Sequence, residues 1–93
     1  MENKCKVLEH TIEEMVHDEF EKALKEHNAC LADETSFNYA MSDFLGVLSH
    51  IEEGIDQFYL GNLLSEESYN YLMEKVTPFY RKQAFMLESE NYE

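Results

Sequence analysis

Apolar positions in the middle of the chain repeat with the spacing of an α-helix. They follow one another at alternating intervals of four and three residues: Phe37, Met41, Phe44, Leu48, Ile51, Ile55 and Phe58. A helix has about 3.6 residues per turn, so these side chains share one face. A second column of Ala40, Val47 and Gly54 makes this face broader than one neighbouring helix can cover. The pattern predicts a central helix over about 37–60 that packs on two sides.

An earlier apolar band predicts a first helix from about Lys4 to Leu31. The band includes His27 and, near its middle, the carboxylate of Glu19. A carboxylate at such a position can extend to the rim, pair with a lysine or tyrosine, or mark a contact between subunits, and the first of these is favoured. We therefore expect Glu19 to lie at the border between the core and the surface.

Turn and capping residues divide the rest of the chain. Thr35 or Ser36 is suited to cap the start of the central helix, and Gly61 with Asn62 is suited to end it. Ser65 then caps a third helix, whose first turn carries two glutamates at its positive end.

Pro78 lies inside the apolar face of the third helix, which comprises Tyr69, Leu72, Met73, Val76, Phe79, Tyr80 and Leu87. Proline lacks an amide donor and strains the preceding turn. We expect the helix either to bend near Pro78 or to start again with Thr77 as its cap.

Three helices joined by short turns predict an all-α fold, an up-down-up three-helix bundle that forms a single domain over residues 1–93. The broad face of the central helix is also compatible with a homodimer, which would enlarge a small core. Gly54, which has no side chain, is expected to let a neighbouring backbone come close.

Composition and cysteine usage favour a cytoplasmic protein. The N-terminal residues are charged at short intervals, unlike a secretory signal, and no apolar run reaches the roughly eighteen residues of a membrane span. Cys5 and Cys30 are separated by about 37 Å on one continuous helix. A disulfide needs Cα atoms within roughly 7 Å, so the two cysteines cannot pair within the chain.

Charge is the most informative feature of the composition. The chain has 20 acidic and 7 basic residues, a net charge of −13, and no Lys or Arg between Lys25 and Lys75. Such a charge repels nucleic acids and anionic membranes. It favours instead a partner protein with a basic surface.

One metal site is possible on the first helix. His10, Glu14 and His17 lie about one turn apart, and imidazole with carboxylate at this spacing can chelate a divalent ion. Glu14 and His17 point away from the apolar band, and no second helix repeats the pattern. A metal-binding bundle is therefore an alternative to an ordinary solvated face.

Catalytic motifs are missing from the sequence. It contains no Gly-x-Ser-x-Gly, phosphate-binding Gly-rich loop, Cys-x-x-Cys or His-Glu-x-x-His motif. His27 and Cys30 lie one turn apart, but both fall within the apolar band, where packing explains them. The sequence predicts no enzyme activity and no cofactor.

The outer side of the central helix combines carboxylates with an aromatic ring. We expect Tyr39, Asp43, Glu52, Glu53 and Asp56 to bind the partner, with the ring as an anchor and the charges for steering. The sharpest hypothesis is a nucleic-acid-mimicking inhibitor of a DNA- or RNA-handling protein, of the type that phages and mobile elements use against host defence. A homodimeric adaptor module whose acidity serves solubility is the other alternative.

Overall fold

The described part of the chain is helical, with short connecting segments. The computed structural model describes residues 4–33 and 37–89, and these contain no strand. The helices are α1 (Lys4–Ala32), α2 (Ala40–Leu60), α3 (Glu66–Tyr71) and α4 (Thr77–Ser89), with a π-helical turn (Leu72–Val76) between the last two. The all-α prediction is confirmed. No helix in the described ranges combines the length and apolar character needed to cross a membrane.

The hydrophobic core lies between three packed helical segments: α1, α2, and α3 with α4. Helix α2 contacts both of the others, and its Met41, Leu48 and Ile55 are almost completely buried. Val16 of α1 and Leu72 of the π-helical turn are also fully buried. The central position predicted for α2 therefore follows from its broad apolar face, which packs on two neighbours.

Helix α2 begins three residues later than its apolar pattern predicts. Phe37 lies before the helix and is 81% exposed. The cause is Asn38, whose Oδ1 accepts a hydrogen bond from the amide of Ala40 at 3.2 Å. Its Nδ2 donates to the carbonyl of the buried His27 at 3.1 Å and lies 2.9 Å from Nδ1 of the same residue. This bonding competes with helix formation at Asn38 and ties this residue to α1.

Helix α2 ends in a Schellman motif. The amide of Leu63 donates to the carbonyl of Phe58 at 2.8 Å, and the amide of Asn62 donates to that of Tyr59 at 3.1 Å. Asn62 adopts the left-handed conformation that this motif requires, with φ of 63°. Gly61 has φ of −84°, so of the two residues predicted to end the helix the asparagine takes the special conformation.

The predicted cap of α3 is confirmed. Ser65 has an extended backbone, and its Oγ accepts a hydrogen bond from the amide of Ser68 at 3.1 Å. This bond satisfies one of the amides that have no partner within the helix. The predicted caps of α2, Thr35 and Ser36, lie outside the described residues.

We expect Ser65→Ala to lower the free energy of unfolding by about 1 kcal/mol, because it removes this cap. Urea unfolding followed by circular dichroism measures the change. Ser49→Ala is the control, since the Ser49 hydroxyl donates to the Leu45 carbonyl within its own helix and caps no helix end. Equal effects of the two substitutions would contradict the capping role.

The π-helical turn accommodates Pro78. The amide of Thr77 donates to the carbonyl of Leu72, five residues back, where an α-helix would bond four residues back. Pro78 has no amide, and its ring would collide with a carbonyl of the preceding α-helical turn. Thr77 keeps helical dihedral angles of −63° and −40°, so the alternative of a new helix capped by Thr77 is wrong.

The wide turn also changes which side of α4 faces the core. Leu72 and Ala84 are both fully buried, although they would lie about 120° apart on an uninterrupted helix. Absorbing one extra residue in the π-helical turn brings them to within about 20°. Phe79, predicted on the apolar face, is 56% exposed for the same reason, and that prediction is wrong.

Candidate protein-binding surface

Two of the predicted partner-binding carboxylates hold the helices together. The Nη1 of Arg81 donates to Oε2 of Glu52 at 2.9 Å, and a second, shorter bond joins Arg81 Nη2 to Glu52 Oε1. This hydrogen-bonded guanidinium lowers the pKa of Glu52. The hydroxyl of Tyr69 donates to Oδ1 of Asp56 at 2.7 Å. Glu52 and Asp56 therefore face the α3–α4 segment and already have partners.

The other three predicted residues are accessible but do not form one cluster. Asp43 is exposed, and Glu53 is exposed with its Oε2 3.7 Å from Nδ1 of His50. The two carboxylates are separated by about 15 Å along α2. Tyr39 is 62% exposed and stacks on Phe37, with ring centroids 6.0 Å apart. Asp43, Glu53 and Tyr39 are therefore accessible to solvent.

A groove runs between α1 and α2, and one end of it is apolar. Met15 is 44% exposed there, while Val47 and Phe58 are each 37% exposed. A Cβ atom built at Gly54 would have no other atom within 4 Å. The predicted close approach of a neighbouring backbone at Gly54 is therefore wrong. The missing side chain instead widens the groove. This apolar end has a volume of about 320 Å³ and is lined by Ile12, Met15, Val47, His50, Ile51, Gly54, Ile55 and Phe58.

The other end of the groove is acidic. It has a volume of about 170 Å³ and is lined by Glu19, Lys22, Ala23, Glu26, Ala40, Asp43, Phe44 and Val47. Val47 lines both depressions, so the apolar and the acidic ends adjoin at this residue. The carboxylates of Glu19, Glu26 and Asp43 form no ion pair and no side-chain hydrogen bond within residues 4–33 and 37–89. Lys22 is the one cationic side chain among these lining residues.

The α1 side of this groove was not recognised from the sequence. Met15, Glu19, Lys22 and Glu26 follow one another at intervals of four, three and four residues, so they share one side of α1. Glu19 is half-buried there, at the rim of the core. The spacing was a usable signal, but periodicity within one helix does not tell which neighbour that side meets.

The residues of the alternative metal site do not assemble into one. His10 and Glu14 are exposed, whereas Nδ1 of His17 lies 3.0 Å from the hydroxyl of Tyr80. The other nitrogen of His17 lies 4.0 Å from Glu21. In the described part of the chain, no group of three or more His, Cys, Asp or Glu side chains is arranged to hold a metal ion. The geometry gives the metal-binding alternative no support.

Carboxylates on the α3 side of α1 resemble Glu52 and Asp56 in having partners. Glu13 accepts a hydrogen bond from the hydroxyl of Tyr71 at 2.7 Å, which raises the pKa of Tyr71 to about 12. Glu9 is only 4% exposed and lies 3.4 Å from the ammonium of Lys6. Acidic side chains are thus engaged where α1 and α2 meet the α3–α4 segment and unengaged along the acidic end of the groove.

Comparison with known proteins assigns no family to this chain. No protein family matches it, and neither the curated proteins nor the solved structures give a match. The fold defines an all-α protein of three packed helical segments, with a groove between α1 and α2 that is apolar at one end and acidic at the other.

Proposed function

We propose that this chain is a non-enzymatic protein that binds a basic surface of another protein through the acidic end of the α1–α2 groove. The observation that carries this proposal is the uneven use of its carboxylates. Those facing the α3–α4 segment have partners within the chain, as Glu52 has in Arg81. Glu19, Glu26 and Asp43 have none among the described residues, so a cationic partner can bind them without breaking an existing bond.

The charge of the whole chain supports the same partner chemistry. A net charge of −13 attracts a basic surface over long distances and speeds association. Screening by salt shortens this range to about 8 Å at physiological ionic strength. Binding is therefore expected to weaken as salt increases.

The sharper form of the proposal is a nucleic-acid-mimicking inhibitor, acting on a nuclease, a defence complex or a transcription factor as phage and mobile-element proteins do. A groove that binds phosphates through Lys and Arg also gains affinity from carboxylates held at fixed positions. Asp43 and Glu53 supply such charges on one rigid helix, and Tyr39 supplies an exposed ring as an anchor. Competition is the mechanism, because partner and nucleic acid would use the same basic groove.

We also propose an order for the helices of the bundle. Ser42, near the start of α2, donates a hydrogen bond to Glu88 near the end of α4, and Arg81, earlier in α4, donates to Glu52, later in α2. The two helices therefore run antiparallel. This arrangement supports the up-down-up order of the bundle. A bend near Pro78, a homodimer and a cytoplasmic location remain predictions.

We expect Glu26→Lys combined with Asp43→Lys to weaken partner binding at least about tenfold, because two unpaired carboxylates become repulsive charges. The tagged protein is first used to capture a partner from host lysate at about 50 mM salt, and capture is repeated at about 500 mM. The partner is then purified, and its affinity for both forms is measured by titration calorimetry. Double-stranded DNA is added as the competitor.

The matched control is Glu14→Lys combined with Asp18→Lys. These residues are also exposed, and the change in net charge is the same, but they lie on the outer side of α1. Equal weakening by both double variants would show that only total charge matters and would overturn the proposed surface. Binding that survives excess DNA would overturn mimicry and leave the basic partner in place.

A further inference from the structure

The apolar end of the groove exposes side chains that a folded protein normally covers. Met15 from α1 and Val47 and Phe58 from α2 are each more than one third exposed, and they border one continuous depression. Gly54 leaves its floor open, because a side chain at this position would meet no other atom within 4 Å. Grooves of this kind between two helices accept the apolar face of a third helix.

The acidic end sets the chemistry of the occupant. Glu19, Glu26 and Asp43 outnumber the single cation of Lys22, and this end joins the apolar end at Val47. An occupant that covers both ends therefore needs apolar side chains along one part and Lys or Arg along the other. Asp43 and Phe58 are separated by about 22 Å along α2, which corresponds to about fifteen residues of helix.

The α2 helix of a second copy does not supply that chemistry, because the chain has no Lys or Arg between Lys25 and Lys75 and α2 would offer the groove neither of them. With a net charge of −13 on each chain, its approach is opposed by repulsion. Charge complementarity selects a basic partner instead.

We infer that the α1–α2 groove binds one amphipathic helix of a basic partner protein, an inference that rests on the function proposed above and adds the form of the partner. Its apolar side chains lie between Met15, Val47 and Phe58. Its Lys and Arg side chains contact Glu19 and Asp43. The apolar contact distinguishes this mode of binding from a purely electrostatic one, because it survives at salt concentrations that screen the charges.

The test uses two labelled peptides of about sixteen residues, made only of Leu and Lys. One spaces its leucines at i, i+3, i+4 and i+7, and the other has the same composition in scrambled order. Fluorescence anisotropy measures their binding to the full chain. We expect the amphipathic peptide to bind at least about tenfold more tightly and to shift the methyl NMR signals of Met15 and Val47.

A pair of glycine substitutions on α2 locates the binding. Gly54→Leu fills the groove and is expected to weaken the amphipathic peptide at least about tenfold. Gly46→Leu is the matched control, since Gly46 is exposed on the outer side of α2 and also has no atom within 4 Å of a Cβ position. Both changes replace glycine by a stronger helix former, so thermal melts should show both variants folded.

Each outcome separates this inference from the proposed function. Equal binding of the two peptides, or equal weakening by the two glycine variants, overturns the groove inference, while docking of a basic partner stands. If neither peptide binds, the groove inference is overturned, and the capture experiment with Glu26 and Asp43 decides the proposed function separately. A dimer in analytical ultracentrifugation that Gly54→Leu dissociates and Gly46→Leu does not would show a second copy in the groove and also overturn it.

Discussion

Replacing Leu48 with alanine is expected to lower the free energy of unfolding by about 2–5 kcal/mol, the usual range for a buried leucine. Leu48 is fully buried in the middle of α2, the helix that contacts both other segments. Removing its three outer carbons loses buried apolar surface and leaves a cavity between neighbours that can only partly relax. Small domains are stable by about 5–15 kcal/mol in total, so this one change removes a large share.

Urea unfolding followed by circular dichroism measures the effect, and Val47→Ala is the matched control. Val47 is the adjacent residue on the same helix but is 37% exposed, so we expect a loss below about 1 kcal/mol. If the two substitutions cost the same, α2 does not bury the face described above.

Arg81→Met is expected to lower the free energy of unfolding at pH 7 by about 1–3 kcal/mol. The Glu52 side chain is only 17% exposed, and Arg81 forms two hydrogen bonds to it. Without the guanidinium, a largely buried carboxylate loses its charged partner. Lys82→Met, the control, removes the same charge from an exposed neighbouring position and is expected to change stability by less than about 0.5 kcal/mol.

The effect of Arg81→Met should depend on pH in one direction. Arg81 lowers the pKa of Glu52 in the folded chain below its ordinary value of 4.5. The stability that comes from the pair is therefore complete above pH 4.5 and is lost as the pH falls through the lowered pKa. The difference between the wild-type chain and Arg81→Met should shrink over that acidic range. A difference that stays constant would mean that packing of the Arg81 stem, not the ion pair, stabilises the fold.

Local physical chemistry was enough to predict most of the helices. The apolar spacing through Met41, Leu48 and Ile55 identifies the buried face of α2, and Ser65 caps α3 because a hydroxyl satisfies a nearby amide. The start of α2 could not be predicted in this way. It depends on the contact between Asn38 and His27, which joins two elements and leaves no periodic trace in the sequence.

The candidate site was harder to predict, because it depends on how the helices are rotated against one another. Glu52 and Asp43 both lie off the apolar stripe, yet one meets Arg81 and the other borders the open groove. A helical pattern gives the side of its own helix and nothing about the neighbour on that side. Glu9 illustrates the same point, since it is buried beside Lys6 although no feature of its surroundings in the sequence marks it.

The π-helical turn divides the helical segment over residues 66–89 into two parts whose buried faces follow different registers. Leu72 belongs to an apolar repeat before the turn and Ala84 to one after it, and the two repeats are offset by one residue. Pro78 and the additional residue therefore depend on each other. Losing Pro78 alone would let the turn close and rotate Arg81 away from Glu52. Losing the additional residue alone would leave the proline ring against a carbonyl. Sequences that share this architecture should contain both Pro78 and the additional residue, or neither. An alignment that applies one heptad register to the whole segment would be wrong by one residue after the π-helical turn.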